Sequence, residues 1–144
     1  MGILIDGLHI TQLKIIPGEK GNIMHALKKS DSFFNQFGEA YFTFVNEKAI
    51  KGWKKHKKMR LNLIVPIGEV KFVFFDDRRN SPTYKQFYSI VMSQNNYNRL
   101  TVEPGIWMAF EGIDKNNLVL NIASIEHDPS DTDDLSLEKI NYKW

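Results

Sequence analysis

The run Lys51-Gly52-Trp53-Lys54-Lys55-His56-Lys57-Lys58-Met59-Arg60 holds most of the chemistry this chain can offer. Segments 40–45 and 61–67 flank it, and both read as apolar strands. Positive charge set between two core strands points to a pocket built for an anion. His56 lies two residues beyond Lys54, so the two share a face of an extended strand. An imidazole there can take and return protons near neutral pH. Lys54 is a second candidate base, because like charges at Lys51, Lys55 and His56 and an apolar surround disfavour its charged form. Lys51 shares that face only if the strand is bulged, and otherwise points the opposite way. His25 is another titratable candidate, weighed evenly against a half-buried histidine on an ordinary strand. Asn62 and Asn121 would need partners inside a barrel, which makes both pocket candidates.

These side chains must be held by strands. Segments 8–16, 22–27, 40–45, 61–67, 70–76, 87–92, 99–102, 107–113 and 118–124 are rich in β-branched and aromatic residues. Turn chemistry bounds them: Pro17-Gly18, Phe37-Gly38, Gly68, Asn80-Ser81-Pro82, Asn95-Asn96 and Pro104-Gly105. Such spacing favours an antiparallel β-barrel or jelly roll over βαβ units. Only residues 30–37 suit a short helix, with Ser30 or Asp31 as N-cap. Residues 128–134 are acidic and turn-rich. Residues 135–144 read as a tail that packs back through Leu137, Ile140, Tyr142 and Trp144. Lys55, Lys57, Lys58 and Arg60 read as a solvated edge that blocks aggregation.

At 144 residues the chain predicts one domain over 1–144, long enough to bury a core without staples. With no cysteine, disulfides, thiolate nucleophiles and Cys-based zinc sites are excluded. A net charge of +2 is too small to argue for nucleic acid. No apolar run approaches a membrane span and no signal-peptide pattern opens the chain, so no membrane partner and a cytoplasmic location are expected.

Gly38-Glu39-Ala40-Tyr41-Phe42, Lys51-Gly52-Trp53, Asp76-Asp77-Arg78 with Ser81-Pro82-Thr83, Pro104-Gly105 and Asn141-Tyr142-Lys143-Trp144 form an ordered set. In that order they resemble the dTDP-4-dehydrorhamnose 3,5-epimerase family from Lys20-Gly21 to the end of the chain. The resemblance implies an all-β, cupin-like jelly roll and a homodimer. It also implies an enzyme without metal or cofactor that acts on nucleotide-diphospho-4-keto-deoxysugars in surface polysaccharide synthesis. The chemistry is consistent: a ketone acidifies the adjacent C–H bonds, a base removes a proton and an acid returns one. Cations steady the enolate and hold the diphosphate.

Several positions depart from the family. Its Arg-Gly-x-His pattern reads Lys51-Gly52-Trp53-Lys54 here, which puts Lys54 at the base position. Its proton-returning tyrosine falls on Asn121, its enolate-steadying lysine on Leu61 or Asn62, its glutamate on His25 and its late histidine on Met108. His56 matches the second histidine of the His-x-His pattern in related sugar 3,4-ketoisomerases. The resemblance therefore nominates His56, Lys54 and His25 for catalysis, and Lys51, Asn62, Asn121, Trp53, Tyr41 and Arg78 for substrate binding. Asp76, Asp77, Arg78 and Arg79 also read as a loop tied by charge-assisted hydrogen bonds. Three rival readings compete. A sugar-nucleotide binding module without turnover is the strongest. A metal-dependent cupin lacks the required histidines, and a single-stranded nucleic-acid binder would use the basic strand with Trp53.

Overall fold

The computed structural model describes residues 2–144 and contains no α-helix among them. The strands are β1 (Leu8–Gln12), β2 (Ile15–Ile16), β3 (Ile23–Met24), β4 (Glu39–Phe44), β5 (Ile50–His56) and β6 (Leu61–Ile67). They continue as β7 (Val70–Phe75), β8 (Phe87–Met92), β9 (Asn98–Val102), β10 (Trp107–Gly112), β11 (Leu118–Ala123) and β12 (Thr132–Asp134). One five-stranded sheet runs β1-β9-β6-β11-β4 and the other runs β12-β5-β10-β7-β8, with a two-stranded β2-β3 ribbon beside them. Neighbouring strands pair antiparallel, and the two sheets close over one core: a cupin-like jelly roll.

Alternation sets which side chains turn inward. On β11, Val119 and Ala123 enter the core cluster with Asn121 between them, while Leu118, Leu120 and Ile122 face outward. On β10, Met108 and Phe110 point inward, whereas Trp107 and Ala109 join a second cluster on the outer face. The 135–144 tail covers that outer face. Ile140 is buried there, and Leu135, Leu137, Tyr142 and Trp144 pack against Trp53, Val73 and Trp107. Backbone hydrogen bonds in both directions between Trp53 and Leu135 fasten its start.

Residues 30–37 form turns rather than a helix. The reason is Arg99, fully buried, whose guanidinium takes the Ala26 and Ser32 carbonyls (3.2 Å each) and the Asp31 carboxylate (3.3 Å). Those bonds fold the segment onto the outer face of β9 and β6. Phe33, at φ +65°, stacks on His9 with ring centroids 3.8 Å apart. The expected 8–16 strand breaks in two, because β1 pairs with β9 while β2 turns to β3.

The basic strand is not an edge. β12 lies outside β5 and pairs Thr132 with His56, Asp133 with Lys55 and Asp134 with Lys54. The acidic segment is thus the electrostatic partner of the cationic one, which lets lysines stand in an interior strand of the sheet. Lys55 is not simply solvated either. Its ammonium meets Asp77 at 3.3 Å and lies 4.8 Å from the Trp107 ring centroid. Arg60 is held bidentately by Glu103 at 2.9 Å on each arm.

Candidate active site

Gly52 shapes the wall of the site. A Cβ there would lie 2.4 Å from the Ala109 side chain, and its φ of +148° disfavours other residues. Around it the β5–β10 register slips, with Lys54 opposite Met108 but Lys51 opposite Phe110. This bulge puts Lys51, Lys54 and His56 on the inward face together.

They line a cavity of about 300 Å³ between the two sheets. Leu61, Leu63, Met108, Phe110 and Val119 form its apolar lining, and Tyr41, Thr43 and Asn121 form a polar wall on β4 and β11. Lys51 Nζ donates to the Phe44 carbonyl at 2.8 Å, and Lys54 Nζ lies 3.8 Å from Asp134. Asn121 Nδ2 donates to the Tyr41 hydroxyl at 2.9 Å. Burial pushes the Tyr41 phenol up, against the lowering effect of that hydrogen bond, so it stays protonated at neutral pH.

His56 Nδ1 lies 3.1 Å from Oδ2 of Asp131, a carboxylate that is almost wholly buried. Asp131 also accepts the backbone N–H groups of Lys58 (2.7 Å) and Met59 (3.3 Å), which fix its position. An ionised carboxylate only accepts, so the proton of neutral His56 sits on Nδ1 and the lone pair on Nε2. Burial pushes the imidazole below its ordinary value, and the Asp131 hydrogen bond and charge offset this only in part. The arrangement is an oriented, neutral base at the wall of a half-apolar cavity.

The structure does not bring every nominated residue here. Trp53 buries its indole on the outer face, where Nε1 donates to the Leu137 carbonyl at 3.3 Å. Trp53 borders the cavity, but strand alternation sends its indole to the face opposite Lys54, where it packs in the outer cluster. Asn62 also points outward, since Leu61 and Leu63 take the inward positions of β6. Its Oδ1 accepts from Arg99 Nε (3.1 Å) and the Thr101 hydroxyl (2.6 Å). Arg78 is tied to the loop after β7. It donates to Asp76 at 2.8 and 3.0 Å and to the Asp6 carbonyl. Burial would raise the Asp76 carboxyl, but bonds from Arg78, Ser81 and Thr83 outweigh it and hold it well below the usual carboxylate range. His25 lines a separate cavity of about 270 Å³ with Lys14, Lys28, Asp31 and Arg99.

Asp131 is the partner of His56 that motif reading missed. Its signal was an acidic segment complementary to a basic strand, but nothing in the spacing singled out one aspartate among four near neighbours. Among the described residues no three or more His, Cys, Asp or Glu side chains gather as a metal site.

The sequence profile of the dTDP-4-dehydrorhamnose 3,5-epimerase family matches residues 3–144. The chain is similar to a dTDP sugar isomerase of Desulfovibrio desulfuricans, whose crystal structure superposes with a TM-score of 0.94 at 31% identity, covering 99% of this chain and 94% of that one. A 3,5-epimerase of Legionella pneumophila, solved in complex with dTDP-4-keto-L-rhamnose, shares the fold at a TM-score of 0.83 and 19% identity, over 95% of this chain and 77% of its own. Among curated proteins, the "probable low-salt glycan biosynthesis epimerase" of Haloferax volcanii is 21% identical over 141 residues, 96% of this chain and 88% of its own. A spore coat polysaccharide biosynthesis protein of Bacillus subtilis is 20% identical over 146 residues, 98% and 97% of the two chains. The chain belongs to the dTDP-4-dehydrorhamnose 3,5-epimerase family.

Proposed function

We propose that this protein is a metal-independent sugar-nucleotide epimerase or isomerase acting on a nucleotide-diphospho-4-keto-deoxysugar in surface polysaccharide synthesis. The observation that carries the reading is the His56–Asp131 pair, a neutral base oriented beside a cavity that also presents Lys51 and Lys54. His56 Nε2 takes the proton from a carbon next to the ketone. The electron pair of that C–H bond moves into the enolate, and Asp131 stabilises the imidazolium that results. Lys54 lies beside His56 on the same wall and steadies the enolate oxygen. Lys51, exposed on the same wall, attracts the diphosphate. Protonation of the enolate carbon from the other face inverts it, with no change in oxidation state. His25 has no part in this cavity.

The family membership supports an epimerase role, and both curated relatives carry names from glycan or polysaccharide synthesis. We further propose a homodimer, on the strength of Phe42 and Phe44 standing 64% and 72% exposed on the outer face of β4, the edge of its sheet.

The test is solvent exchange. Purified protein is incubated in heavy water with dTDP-4-keto-6-deoxyglucose and other nucleotide-4-keto sugars. Deuterium should enter at the carbons beside the ketone, and His56→Ala should abolish its entry. Nucleotide-sugar binding without exchange for any of them would replace the enzyme with a binding module.

A further inference from the structure

The wall opposite His56 carries one acidic proton donor. Tyr41 and Asn121 are cross-strand partners on β4 and β11, in the sheet that faces the one bearing His56. Asn121 is 6% exposed and gives its amide N–H to the phenol oxygen at 2.9 Å. A phenol oxygen that accepts there keeps its own O–H free to donate elsewhere, and Tyr41 lines the cavity. Asn121 Oδ1 is the sole buried side-chain nitrogen or oxygen without a partner among the described residues. A buried carbonyl oxygen left unpaired costs stability, which a hydroxyl donor arriving with a ligand would relieve.

We propose that Tyr41 is the catalytic acid that returns the proton to the substrate, with Asn121 as its positioning residue. This rests on the proton-abstraction reading above. His56 removes hydrogen from one face of the carbon. Tyr41, reaching from the opposite sheet, gives its phenolic proton to the other face of the enolate carbon. A C–H bond forms, the enolate electron pair is consumed and a phenolate remains. The half-exposed ring then regains a proton from water, while the His56 imidazolium releases its own to solvent, so protons balance over the cycle. The phenol is protonated at neutral pH, as an acid must be. The charged groups around it are Glu39 on its own strand, Lys51, Lys54 and His56 across the cavity, and Asp134 at the rim.

Tyr41→Phe keeps the ring and removes only the hydroxyl. With the nucleotide-4-keto sugar that the wild-type protein exchanges, this variant should still bind and still take up deuterium at the carbon attacked by His56. Formation of the inverted product should fall at least a hundredfold. Its kcat/KM profile should also lose the part of the alkaline limb that the phenol sets. In Asn121→Ala that limb should move to higher pH, because the hydrogen bond that lowers the phenol's pKa is gone, a shift that loss of packing alone would not produce. Product formation by Tyr41→Phe within threefold of wild type would overturn the assignment while leaving His56 chemistry intact. Absence of exchange in the wild-type protein would overturn both together.

Discussion

At the scale of single residues, the site depends on one histidine kept neutral. Burial holds folded His56 below its ordinary value of 6.5, so as pH falls the unfolded chain takes up the proton first. The stability contributed by neutral His56 is therefore complete above 6.5 and is lost as pH drops through the folded value. Activity should follow the same group, with a kcat/KM plateau and an acidic limb below 6.5. Asp131→Asn removes the charge that raises the imidazole's pKa and leaves one acceptor oxygen where the carboxylate had two. The acidic limb should move to still lower pH, and kcat should fall on the order of a hundredfold or more, since the imidazolium loses its counter-charge. A pH–rate profile of the two proteins checks both statements. His56 was legible in the sequence through its two-residue offset from Lys54. Asp131 was not, because it lies 75 positions away and meets His56 only through the return of β12.

At the scale of elements, β5 is a strand with two finished faces. Its inward face holds the cations of the site. Its outward face holds Trp53, sealed by the 135–144 tail, so packing outside the barrel sets the geometry inside it. Trp53→Ala would empty a large buried volume and orphan the Leu137 carbonyl, at a cost of about 3–5 kcal/mol in urea or guanidinium unfolding. The bulge at Gly52 was visible only as two alternatives in the sequence, since whether Lys51 joins Lys54 depends on the register with β10. The Ala109 contact chose between them. The missing helix at 30–37 has a similar origin. Its local capping signals are real, yet one buried guanidinium draws away the Ser32 carbonyl and the Asp31 carboxylate.

At the scale of the whole molecule, the two outer faces differ in how they are covered. The tail closes the outside of the sheet bearing β5, and residues 26–33 close the β9 and β6 part of the other. The β11–β4 part stays open, with Phe42 and Phe44 exposed. If two copies meet there, replacing both phenylalanines with glutamate should convert a dimer into a folded monomer in sedimentation velocity, with the jelly-roll circular dichroism retained. The proposed reaction needs both sheets, because its base and its acid stand on opposite ones.

By itself, the sequence determined the fold class, the family and the strand that carries the cations. Period-two patterning, turn residues and local motifs are short-range properties written in consecutive positions. Only the tertiary structure decided which of Lys51, Trp53, Asn62, His25 and Arg78 face the cavity. It also decided that Asp131 orients His56 and that Asn121 holds Tyr41. Those outcomes turn on a one-residue bulge and on cross-strand register, and in a strand a single-residue slip moves a side chain from the interior to the opposite face.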